Sequence, residues 1–286
     1  MTNVNIYAFA DEASPYIDGQ IVAMKRNGLQ GVEIRGVDGQ GISDISLEKA
    51  KEVKEKFDKA GLIVWSIGSP IGKIDIDGDI PAHFEKLRHT LEIANILGAK
   101  NIRLFSFYIP NGKNPDDYTD KVVELVKQMT EICKSYGVSA CHENEKGIFG
   151  DTADRCLKLF EAIPDLKGIF DFANFIQCGV DTLNAWQMLK EYTYYIHIKD
   201  ALPDGTVVTA GNGNGNIPCI VKEFMNMGGK NFTIEPHLTV FEGFSHLERN
   251  GDKTVIPNNT FSDSNTAFDA ACNAFKTVLE NNEMEG

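Results

Sequence analysis

The chain has 286 residues, 42% of them hydrophobic and 24% charged, with a formal net charge of −13. That composition is ordinary for a soluble globular protein, and one α/β domain of this length can bury a core without staples. The negative charge repels phosphate backbones and makes nucleic acid a poor partner. It leaves room for a basic pocket that holds one phosphate.

Cys133, Cys141, Cys156, Cys178, Cys219 and Cys272 form no CxxC pair and no zinc-finger spacing. They read as reduced thiols of a cytoplasmic protein. The first residues, Met1-Thr2-Asn3-Val4-Asn5, lack the pattern of a signal peptide, and no apolar run approaches the ~20 residues of a membrane span, so no membrane partner is expected.

Strand and helix signals alternate from end to end. A strand at Val4–Phe9 is followed by a helix from about Pro15, with Ser14 as expected N-cap and Gly28 as stop. The strand Gly31–Arg35 precedes a helix that starts at Ser46, has Leu47, Ala50, Val53 and Phe57 at helical spacing, and stops at Gly61. Leu62–Ile67 is the third strand, and Pro81 opens an amphipathic helix closed by Gly98. Asn101–Phe105 leads to a helix over Pro115–Tyr136, and Val138–Glu143 to one capped by Asp151 or Thr152. Gly168–Asp171 precedes a helix over Thr182–Glu191, and Tyr194–Ile198 one over Ile217–Met227. Asn231–Glu235 is the eighth strand, and a last helix spans about Ser262–Glu280.

Eight strand–helix units predict a closed parallel (β/α)8 TIM barrel, a single domain over residues 1–286. A doubly wound open sheet would usually carry a glycine-rich turn after its first strand, where this chain has Ala10-Asp11-Glu12-Ala13-Ser14. The segment Pro236–Phe261 is too long for a mere connector and is expected to build or cover a site.

In such a barrel the chemistry lies where strands end. Here they end in His142-Glu143-Asn144-Glu145, in Asp171-Phe172-Ala173-Asn174, in His197-Ile198-Lys199-Asp200 and in Glu235-Pro236-His237. Three carboxylates converging on one mouth with an imidazole repel one another unless a cation sits among them. Oxygen donors with one imidazole suit a single divalent ion: Mn2+, Mg2+, Co2+ or Zn2+.

Those motifs, with Gly211-Asn212-Gly213-Asn214-Gly215 and Thr233-Ile234-Glu235-Pro236, resemble the xylose-isomerase-like superfamily over most of the chain. That superfamily contains sugar isomerases and epimerases, inosose dehydratases and apurinic endonucleases. The resemblance implies a metal held by Glu143, Asp171, His197 and Glu235, with Glu145 as rival for the first position. It further implies a metal-dependent isomerase or epimerase for a small sugar, polyol or sugar phosphate, with Glu143 and Glu235 as base and acid around an enediolate. A dehydratase on the same site is the alternative, and a non-catalytic sugar-binding barrel a second one. An endonuclease would need more histidines and a basic face. A homo-oligomer is compatible with all of these.

Glu33, Arg103, Asn174, Lys199 and His237 are the expected substrate contacts. Each has a plainer alternative: a Glu33–Arg103 ion pair inside the barrel, an ordering role for Asn174 at Asp171, a carboxylate partner for Lys199, a loop histidine at 237. Arg35 reads as part of a buried ion pair, and His142 as structural because it points away from its neighbour Glu143. Gly211–Gly215 reads as a flexible turn before a cradle for phosphate, and Trp65, Phe107, Trp186 and Phe241 as core before a sugar platform.

Overall fold

The computed structural model describes residues 4–240, 255–256 and 260–284. Eight parallel strands close on themselves: β1 (Asn5–Ala8), β2 (Gly31–Ile34), β3 (Ile63–Ile67), β4 (Asn101–Leu104), β5 (Ser139–Glu143), β6 (Lys167–Asp171), β7 (Thr193–Ile198) and β8 (Asn231–Ile234). Neighbours in sequence are neighbours in the barrel, and β8 pairs with β1 to close it. This is the expected (β/α)8 barrel.

The helices α1 (Ile17–Arg26), α2 (Leu47–Ala60), α3 (Ile80–Leu97), α4 (Thr119–Ser135), α5 (Ala153–Ala162), α6 (Phe172–Gln177), α7 (Thr182–Leu189), α8 (Ile217–Asn226) and α9 (Ser264–Met284) surround it. Their ends follow local chemistry. In α2 the Ser46 hydroxyl accepts from the Lys49 amide at 3.1 Å, and Gly61, at φ 71°, takes the left-handed turn that stops the helix. In α3 Asp79 caps and Gly98 terminates in the same way.

Some expected boundaries move. Ser14 is not the cap of α1: its hydroxyl accepts from the Tyr16 amide, a turn closed before the helix begins at Ile17. Residues Pro115–Tyr118 form a 3-10 turn ahead of α4, and α6 is a helix that the strand–helix alternation does not announce. It starts at once after β6 because the Asp171 carboxylate accepts from the Asn174 amide at 2.7 Å. Two short antiparallel ribbons, Gly36–Val37 with Gln40–Gly41 and Asp200–Ala201 with Val207–Val208, rise from the mouth. The segment expected to build or cover the site, 236–261, lies mostly outside the described residues, as does Phe241. Val255 pairs with Thr206 on the second ribbon.

The barrel is filled in two layers. At the bottom Tyr7 stacks on Trp65, with ring centroids 4.8 Å apart, against Tyr195, Cys141 and Ile169. Above them the inward side chains become charged. Phe107 and Trp186 are fully buried, as expected of core aromatics, and no disulfide joins the six cysteines.

Candidate active site

Alternation along the strands places Glu143, Asp171 and His197 inward at the mouth, and Glu235 follows β8 by one residue. All four are buried, and one ligand atom from each lies within 4.8 Å of the others. His197 is central. Its Nδ1 is 2.8 Å from Glu143 and 3.6 Å from Glu235, while its Nε2 is 3.0 Å from Glu33. Glu143 and Glu235 thus both approach the same imidazole nitrogen.

The ion pair of Glu33 with Arg103, the plainer alternative to substrate contact, does not form. Glu33 is level with Ser66 and Asn101 across the strands, so Arg103 sits two residues higher and reaches Glu143 instead, at 3.0 Å. Glu33 stays fully buried, holding the far nitrogen of His197 and accepting from the Tyr195 hydroxyl at 2.8 Å. It lies beneath the mouth, behind His197.

Lys199 bridges two carboxylates, 3.1 Å from Asp171 and 3.0 Å from Glu235. Asn174 donates to the Asn144 carbonyl at 2.9 Å and approaches Glu143 at 3.5 Å, while Asn144 pairs with the backbone of Asp171. His237, at φ 44°, donates its amide to Glu12 and brings its ring to 3.1 Å from Glu12 and 3.5 Å from Glu235. Arg35 is in a buried ion-pair cluster, as expected, with Asp11, Glu12 and Glu235. Glu145 lies outside the four-residue group and pairs with Lys73 at 2.8 Å.

Electrostatics follow from this crowding. Burial pushes the Asp171 carboxyl up to about 7; Glu235 and Glu143 add to the rise and Lys199 opposes it. Burial disfavours charge on His197, yet Glu143 and Glu33 lift it to about 10. Burial likewise resists ionisation of Glu235, but Lys199, His237, His197 and Arg35 outweigh it and hold the carboxyl well below its usual range.

The donor set fits a divalent ion. Glu33 engages Nε2 of His197, so Nδ1 is the nitrogen left facing the carboxylates, an arrangement common behind metal-bound imidazoles. Asp171 Oδ2 is buried and, among the described residues, takes part in no hydrogen bond, with the Lys199 ammonium 3.1 Å away. Glu143, Asp171 and Glu235 offer oxygens and His197 a nitrogen, a mixture suited to Mn2+, Mg2+, Co2+ or Zn2+.

The glycine-rich turn has a definite task. The amides of Gly211, Gly213 and Gly215 all donate to the Asp200 carboxylate, at 2.9, 3.0 and 2.9 Å. It is a cradle for an anion, already filled by the chain's own Asp200. His142 is structural, as expected, its Nε2 2.9 Å from the Ser106 hydroxyl on the outer side.

Asp11 and Glu12 also face the site, and Tyr195 supports it from below through Glu33, although the sequence patterns do not single them out. Asp11-Glu12 directly follows β1, so inspection of that strand's end as closely as the last four would have found the carboxylates. Tyr195 carries no such signal, because only its contact with Glu33 distinguishes it from core.

The profile of the xylose isomerase-like TIM barrel family matches residues 21–247. The chain belongs to that family. Among curated proteins, this family member is 21% identical to 3-dehydroshikimate dehydratase of Bacillus anthracis over 203 residues, 67% of this chain and 72% of the relative. Among solved structures it resembles an L-ribulose 3-epimerase, with TM-score 0.75 and 18% identity over 100% of this chain and 97% of the other. It also resembles the IOLI protein with a bound zinc atom, with TM-score 0.74 and 12% identity over 97% and 98%. A xylose isomerase-like barrel from Mycobacterium smegmatis in complex with magnesium gives TM-score 0.69 and 12% identity over 98% and 97%. At such identities the structural likenesses establish the shared barrel.

Proposed function

We propose that this protein is a metal-dependent isomerase or epimerase of a small sugar or polyol. The observation that carries the reading is the pair Glu143 and Glu235, both beside His197 Nδ1, in a buried group whose ligand atoms lie within 4.8 Å of one another. Glu143, Asp171, His197 and Glu235 would hold one divalent ion. When bound, that ion supplies positive charge that acidifies the carbon beside a carbonyl.

One glutamate then takes the carbon-bound proton on its carboxylate oxygen, and the bonding pair moves toward the carbonyl oxygen as an enediolate. The opposite glutamate, which must enter the cycle protonated, returns its proton to the other face of the same carbon for epimerisation; for isomerisation the proton goes to the former carbonyl carbon while the hydroxyl proton of the first carbon passes to the former carbonyl oxygen. Arg103 holds Glu143, and Arg35 and Lys199 hold Glu235, so neither base turns away from the substrate.

A second reading is dehydration, favoured by the curated relative and by Lys199. Elimination requires a proton for the departing hydroxyl, and this buried ammonium stands between Asp171 and Glu235. Both readings begin with proton abstraction and part only at the fate of the enediolate, so the product distinguishes them. Metal-loaded protein is incubated with a panel of ketoses and inososes in deuterated water. Deuterium in a product of unchanged composition is expected; loss of water moves the assignment to the dehydratase; an active enzyme with unlabelled product rejects the carboxylate pair. Absence of any stoichiometric divalent ion after supplementation would favour a non-catalytic sugar-binding barrel.

A further inference from the structure

A cavity of about 450 Å³ opens at the mouth on the β2–β4 side, roofed by the ribbon at residues 36–41. Four cationic side chains line it, Arg35, Arg103, Lys73 and Lys86, against two carboxylates, Asp11 and Asp44. Arg35 and Arg103 are buried, and both guanidiniums lie against the Phe9 ring, 4.5 and 5.0 Å from its centroid. Two like charges therefore share one ring at the back of the cavity.

Each cation has a partner, but the partners lie mostly behind the wall. Arg103 pairs with Glu143, Lys73 with Glu145, Lys86 with Asp44, and Arg35 with Glu12, Glu235 and Asp11; of these six carboxylates Asp11 and Asp44 line the cavity and the other four do not. The cavity wall thus carries four cations against two carboxylates, while Glu12, Glu143, Glu145 and Glu235 lie outside its lining. Phe105, the aromatic residue in the lining, already has Lys73 Nζ and Arg103 Cζ 4.5 and 4.9 Å from its ring centroid. It offers little open face for the C–H side of a neutral sugar.

We propose that this cavity receives an anionic group, a carboxylate or a phosphate, at the non-reacting end of the substrate, held by Arg35, Arg103 and Lys73. The proposal rests on the reading of the mouth as the substrate site. Guanidinium forks match both anions, and a charge-assisted hydrogen bond in a low-dielectric cavity is about twice as strong as a neutral one. An ion that shares Glu143 and Glu235 would further draw their charge from the two arginines.

The test is calorimetric titration at fixed ionic strength with three hexoses that differ at one carbon: glucose, glucuronate and glucose 6-phosphate. A charged probe is expected to bind about tenfold tighter than glucose, and whichever does so names the anion. In Lys73→Met/Glu145→Gln, which keeps the net charge, that preference should shrink several-fold; Lys73→Gln alone is the second variant. Equal binding of the three probes, or none, overturns the proposal. So does a preference that survives both variants and vanishes with metal removal, because the anion would then sit on the metal. Metal content is measured separately, so a protein that binds no ion yet keeps the charged-probe preference loses the catalytic reading while the anion subsite stands.

Discussion

Glu33 shows how one contact reassigns a residue. In the sequence it is an inward carboxylate that could meet substrate; in the barrel it sits behind His197 and fixes which nitrogen faces the other carboxylates. Glu33→Gln should therefore weaken metal binding by about 10–100-fold, measured by chelator competition, since outer partners of ligating histidines typically matter on that scale. Glu143→Gln and Glu235→Gln should each lower kcat by about a thousandfold, the size of a lost acid or base. Metal analysis of each variant separates lost chemistry from a lost ion.

Among the loops and helices around the mouth, single side chains hold whole segments in place. Asp200 organises the turn between β7 and α8 through three glycine amides, and a Cβ on Gly213 would meet its Oδ1 at 2.4 Å and the Ala201 carbonyl at 2.5 Å. Asp200→Ala should cost about 3 kcal/mol in urea unfolding, because it strands several donors, and Gly213→Ala should also destabilise. In α3, His83 Nε2 accepts from the Gly72 amide at 2.8 Å. Burial, with Lys86 nearby, holds its value down at about 4, below the 6.5 of an exposed imidazole. The unfolded chain thus binds the extra proton in that window, so this contribution is intact above about 6.5 and is lost as pH falls toward about 4. The drop in Tm across that range should be smaller in His83→Gln than in wild type.

For the whole barrel, the mouth concentrates buried carboxylates and cations that a fold would not gather for stability alone. A divalent ion that binds only the folded state should raise stability by about 2.7 kcal/mol at a hundred times its Kd, a Tm increase of roughly 5 °C. Thermal scans with and without each of Mn2+, Mg2+, Co2+ and Zn2+ measure this. Asp171→Asn should abolish the shift while the metal-free protein still melts cooperatively.

The sequence by itself determined the barrel and the four residues that meet at its mouth. Strand–helix alternation, caps such as Ser46 and stops such as Gly61 and Gly98 are local, and a strand-end residue faces the mouth whatever its neighbours are. Pairing was decided only in three dimensions. The stagger between strands sends Arg103 to Glu143 and leaves Glu33 to His197, and the fold of a turn makes Asp200 the occupant of a cradle that reads as flexible glycines. Glu145 differs from Glu143 by two positions in the chain, yet Lys73, from the loop after β3 two strands away, claims it. Such choices depend on distances between residues up to 164 positions apart, which no local pattern encodes.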